Sequence, residues 1–190
     1  MVRRFGQRVA LLSAAAVLVV GGGWFWLRDA SAANCPGGKS HGVSINGGPV
    51  IQANTQGGIL VLPGNTTTTT TGHVVTTLHI EDVYSNGKVE GLGDLDISLD
   101  TTRQAPKSTL TSLKPGSALP ARQVMQFYPV FTLNGEVFQA DQPARVENSN
   151  VDSFPPRPGT VYVLTNAMTL RSDEGNVMTL EPGKAFTVGG

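Results

Sequence analysis

From His73 to the end of the chain, apolar and polar residues alternate with a period close to two. Val74, Thr76, Leu78 and Ile80 share one face of an extended segment, while Val75, Thr77, His79 and Glu81 share the other, because successive side chains of a strand point to opposite faces. β-branched residues dominate the run, as expected on a half-buried pleated surface. Leu95, Ile97 and Leu99 alternate in the same way with Asp94, Asp96, Ser98 and Asp100. Ser85-Asn86-Gly87-Lys88 lies between these segments and predicts a hairpin turn there, since Asn-Gly accepts the positive φ values of a two-residue loop.

Residues 101–119 form a long polar connection with Pro106 and Pro115-Gly116. Residues 124–133 then return to a strand pattern. A short helix over 120–127, with Pro120 in its first turn, is the alternative there. Asn134-Gly135 predicts a second hairpin, and a two-residue loop at that point sets Phe131 opposite Phe138. Further strands are expected over 144–147, 160–164, 167–171, 177–180 and 185–188, with turns rich in Gly, Pro, Asn and Asp between them. Many short strands and no long helical stripe make the fold all-β: an antiparallel β-sandwich, with a β-barrel as the alternative.

The first 72 residues follow other rules. Arg3, Arg4 and Arg8 precede an uncharged, apolar stretch over residues 9–27, and Ala30-Ser31-Ala32-Ala33 follows. A basic start, an apolar middle and small residues at alternate positions are the marks of a secretory signal peptide. Ala30 and Ala32 set cleavage after Ala32; Ser31 and Ala33 offer a site one residue later. An uncleaved anchor helix is the competing reading, since 19 apolar residues suffice to span a bilayer and Trp24 and Trp26 stand at interfacial positions. Either way the body of the protein is expected outside the cytoplasm: secreted, periplasmic or at the cell surface, or held by a single membrane pass. A signal or anchor helix thus occupies residues 1–32. A partly ordered Gly/Thr/Pro-rich leader follows over 33–72, with one early strand at 59–62, and the all-β domain covers 73–190.

Composition narrows the partners. The full chain holds 14 basic and 14 acidic residues; loss of four arginines and Asp29 on cleavage leaves 10 and 13, a net of −3. Nucleic-acid binding needs a basic face that displaces counterions, so no nucleic-acid partner is expected. No polybasic patch addresses an anionic membrane either, leaving the N-terminal segment as the only membrane contact. Cys35 is the single cysteine, which excludes a disulfide within one chain; it is expected to sit idle in the leader. Asn34 before it does not fit a lipoprotein site.

Candidate chemistry is sparse. Asp94, Asp96 and Asp100, with Glu81 and Asp82 nearby, carry the oxygen ligands a hard cation takes. Strand residues two apart stand about 6.6–7 Å from each other, so these carboxylates read first as a solvated outer face. His73 and His79 lie about 20 Å apart along a strand and His41 stands alone, which leaves no histidine metal site. No G-x-S-x-G elbow occurs, and glutamates such as Glu81, Glu90, Glu136 and Glu147 form no distinctive pair. No catalytic residue and no cofactor is expected. Pro155-Pro156-Arg157-Pro158 reads as a stiff loop. Asn65-Thr66-Thr67 and the six threonines over 66–71 match N- and O-glycosylation patterns. Met125, Met168 and Met178 read as core. The expected function is a non-catalytic exported β-domain that binds, assists or assembles a protein or other envelope component. The rivals are a secreted hydrolase with a site built from loops, and a barrel carrying a small apolar ligand among Phe127, Phe131, Phe138 and Phe186.

Overall fold

The computed structural model describes residues 17–20, 23–26, 33–35, 41–48, 51–157, 159–183 and 185–187. The chain divides into two units, Met1–Ala30 and Ser31–Gly190.

In the first unit, β1 (Val17–Val20) pairs antiparallel with β2 (Gly23–Trp26), setting Val17 against Trp26 and Val20 against Gly23. Over these eight residues strands stand in place of the expected signal or anchor helix. Val17, Val19 and Val20 lose side-chain freedom in a helix, and the adjoining glycines weaken one further. Among the described residues, no helix is long and apolar enough to cross a membrane. Ala30 and Ala32 lie outside the described residues.

The second unit is one antiparallel sheet of fourteen strands. In chain order they are β3 (Ala33–Cys35), β4 (His41–Ile45), β5 (Ile51–Thr68), β6 (Val74–Val89), β7 (Gly93–Leu99), β8 (Ser108–Ser112) and β9 (Ala121–Phe127), followed by β10 (Pro129–Leu133), β11 (Glu136–Ala140), β12 (Ala144–Val151), β13 (Val161–Leu164), β14 (Met168–Ser172), β15 (Val177–Leu180) and β16 (Ala185–Thr187). Their spatial order is β16-β13-β12-β9-β8-β6-β7-β10-β11-β14-β15-β4-β5-β3. The sheet keeps open edges at β16 and β3, while the pairings of β15 with β4, β4 with β5 and β5 with β6 return the chain of paired strands to β6.

β5 and β6 organise the sheet. They pair with each other from Ala53↔Val89 to Thr68↔Val74, with register shifts at Leu60/Val61 and Pro63/Thr66. Such irregularities bend a strand and increase its twist. On its other edge β6 serves two partners: residues 84–89 pair with β7 and residues 75–78 with β8. Thus β4, β5, β6, β7, β10, β11, β14 and β15 follow one another by hydrogen-bonded pairing, and β8, β9, β12, β13 and β16 branch away as an arm.

Several sequence expectations change here. Asn86 and Gly87 lie inside β6, opposite Gln56 and Thr55; a paired partner strand on both sides keeps them extended. The turn comes at residues 90–92, where Leu92 N–H donates to Val89 O and Gly91 takes φ of 73°. The polar connection over 101–119 contains β8. Residues 120–127 form no helix, because β9 is paired with β8 and β12, and the expected strand over 124–133 is two strands meeting at Tyr128. The strand expected at 59–62 is part of the 18-residue β5, and Cys35 stands in β3 opposite Gly57. At the second hairpin, Phe131 faces Phe138 as the Asn134-Gly135 loop requires.

The core follows the alternation. Leu95, Phe131, Leu133, Phe138, Met168, Leu170 and Met178 join Met125, Phe127, Val146, Tyr162 and Leu164 of the arm in one apolar cluster. A smaller cluster of Leu78, Leu110 and Ala121 is capped by Leu119 and Phe154.

Candidate functional site

Four hairpin turns meet along one end of the sheet: residues 46–48, 90–92, 134–135 and 173–176. Asparagines tie them together. Asn134 sits at φ of 51°, a conformation Asn tolerates better than most residues. Its side-chain Oδ1 accepts from Asp94 N–H at 3.2 Å, and its Nδ2 donates to Leu92 O. Asn176 Nδ2 donates to Glu136 Oε1 at 2.8 Å, and Asn46 Nδ2 donates to Asn176 Oδ1 at 2.8 Å. Asn46, also at φ of 51°, accepts Val177 N–H on its Oδ1 at 2.8 Å. Glu90, Asp94, Glu136, Asp173 and Glu174 give this end a negative character. Asn46-Gly47 and Asn134-Gly135 were the available sequence signals for it; the contact between turns 130 residues apart had none.

The acidic face expected on β7 is present, but its carboxylates work separately. Asp94 pairs with Lys88 at 3.6 Å, both well exposed. Asp96 lies opposite Asn86 and Thr132. Asp100 accepts from Thr102 Oγ1 at 2.6 Å and Thr102 N–H at 2.9 Å, and these bonds lower its pKa. Among the described residues no three His, Cys, Asp or Glu side chains gather to hold a metal ion. His73 Nδ1 lies 2.8 Å from Ser112 O, and His79 is exposed.

Three further clusters appear only in the fold. Arg122 grips Glu147 with two hydrogen bonds, Nε to Oε1 at 2.6 Å and an NH2 group to Oε2 at 2.7 Å. Arg145 reaches Oε2 at 3.5 Å. The Arg122 bonds hold the Glu147 carboxyl below its ordinary pKa, with the charges of Arg122 and Arg145 assisting, and the same contact raises Arg122. Arg103 stacks 3.6 Å above the Tyr128 ring and donates to Ala140 O and Asp141 O. Inside the core, Tyr162 O–H donates to Gln123 Oε1 at 2.6 Å. Both displaced carboxyls, Asp100 and Glu147, are thus stronger acids held by structural partners. A general acid needs the opposite displacement.

No family model matches the chain, and no curated protein matches it. A solved structure of DynF, from the dynemicin biosynthesis pathway of Micromonospora chersina, is similar at TM-score 0.59 and 17% sequence identity, over 79% of this chain and 76% of that one. At that identity the likeness is one of fold: an antiparallel all-β chain.

Proposed function

We propose that this chain is an exported, non-catalytic β-domain that acts in the cell envelope by surface recognition of a protein or other envelope component. In this reading the segment over 1–32 directs export. The observation that carries it is the close packing around four core side chains. A side chain lining an empty ligand-sized cavity exposes surface to that cavity, yet Phe131, Phe138, Leu170 and Met178 are 4%, 1%, 0% and 0% exposed. Such packing favours a solid core over a carrier's pocket. The displaced carboxyls point away from acid–base chemistry, as their hydrogen bonds stabilise the charged forms. Recognition then falls to the outer surface.

Cell fractionation combined with mass spectrometry under native and denaturing conditions tests this. The chain is expected in the extracytoplasmic fraction, with identical native and denatured masses. Retention in the cytoplasm overturns the export reading. A native mass larger by one stoichiometric apolar molecule makes the protein a carrier instead.

A further inference from the structure

The hairpin of β5 and β6 ends in a tip that the proposed recognition role leaves unused. Six consecutive threonines, Thr66 to Thr71, run into it. Strand preference accounts for the first of them: Thr66 faces Thr76, with their hydroxyls 2.9 Å apart, and Thr67 faces Val75. β5 ends at Thr68, and beyond it Gly, Asn, Asp or Pro would serve a turn better than threonine. Thr69 has a local task, since its Oγ1 accepts His73 N–H at 3.0 Å and lies 2.9 Å from Thr71 Oγ1. Thr68 and Thr70 have none. Both are exposed, and their hydroxyls make no hydrogen bond within the described residues.

The tip is held in place. Thr69 N–H donates to His73 O at 2.8 Å, Gly72 N–H to Thr69 O at 2.9 Å, and Gly116 N–H to Gly72 O at 2.9 Å. Gly72 also abuts Pro115, whose Cβ would lie 3.2 Å from a Cβ added there. Thr70 therefore stands at the apex of an anchored hairpin with its nucleophilic oxygen free. It carries no acidic neighbour in sequence from 65 to 80.

We infer that Thr70, with Thr68 beside it, is an acceptor for O-linked glycosylation by a transferase that uses a phosphate-activated sugar. The threonine Oγ forms a bond to the anomeric carbon, and the bond from that carbon to the donor phosphate oxygen breaks. The phosphate leaves with the electron pair, and the transferase's base takes the hydroxyl proton. A sugar at this apex covers the tip's exposed strand end with a hydrated group, which discourages pairing with another chain.

The test uses the full chain isolated from its own organism, analysed by intact mass and by mass mapping of the segment around residues 65–88. A mass increase of one or more whole monosaccharides on this segment, removed by alkaline elimination, is expected. The variant Thr68→Val/Thr70→Val should lose the increase while keeping its thermal midpoint, because neither hydroxyl has a structural partner. A bare segment on chain recovered from outside the cytoplasm overturns the inference. So does a sugar that persists in the double variant. Neither result depends on what the domain recognises.

Discussion

Asn134 concentrates several local requirements in one side chain: positive φ, an acceptor for Asp94 N–H and a donor to Leu92 O. Asn134→Ala loses both bonds and carries a Cβ in the left-handed region without a polar side chain to compensate. The expected loss is about 2–3 kcal/mol, from about 1–2 for the backbone and about 1 for the bonds. Asn134→Gly keeps the backbone and loses only the bonds, so about 1 kcal/mol is expected. Urea denaturation of the two variants separates the effects; equal losses would refute the backbone component. Gly93 belongs to the same junction, for at φ of 108° an added Cβ would collide with the Asn134 amide.

Glu147 makes a pH-dependent prediction at the same scale. Its folded pKa lies below the ordinary 4.5 because Arg122 hydrogen-bonds the charged form. The stability this supplies is present above the ordinary carboxylate value and is lost as pH falls through the lowered folded value. Glu147→Gln is expected to cost about 1 kcal/mol at neutral pH, a cost that shrinks on acidification below the ordinary value. Denaturation midpoints of both proteins across the acid range check the convergence. Residues of this kind were only partly legible. Asn134-Gly135 announced its own turn, whereas Arg122 and Glu147 are 25 positions apart and nothing local pairs them.

Among elements, alternation located strands far better than it located their partners. β15 matches the expected 177–180, and β13, β14 and β16 differ from their expected bounds by a residue or so at an end. The turn at Asn86-Gly87 failed because a dipeptide preference of local origin yields when strands on both sides supply hydrogen-bond partners. β5 does so there, and its own sequence, broken by Gly57-Gly58 and Pro63-Gly64, disguises its length. The Phe131–Phe138 pair shows the opposite case, where loop length alone sets register. Phe138→Ala on β11 should therefore cost about 3–5 kcal/mol, the range for deleting a fully buried aromatic ring. On β13, Tyr162→Phe leaves Gln123 Oε1, in a residue 1% exposed, without its 2.6 Å donor. The expected cost is about 1–3 kcal/mol. Thermal denaturation of both variants gives the values, and a neutral Tyr162→Phe would mean that another donor replaces the phenol.

For the molecule as a whole, the sequence contained the class of fold but not the sharing of β6 between two partner strands, which is a tertiary outcome. The candidate site was less legible still. The acids on and beside β7 were visible as a face, yet only the folded chain shows Asp94 paired with Lys88 and Asp100 bound by Thr102, and the asparagine junctions depend on turns brought together from across the chain. The fate of the first 32 residues is a question the composition makes measurable. Trp24 and Trp26 are the chain's two tryptophans, and both precede the expected cleavage point after Ala32. The protein processed at that point retains Tyr84, Tyr128 and Tyr162 as its longest-wavelength fluorophores. Protein recovered outside the cytoplasm should therefore emit as tyrosine alone, and the N-terminal residue read by sequencing should be Ala33. Tryptophan emission from that fraction, or an N-terminus at or before residue 9, would show that the apolar segment stays attached, and an uncharged stretch of 19 residues retained on the chain has to be sheltered from water.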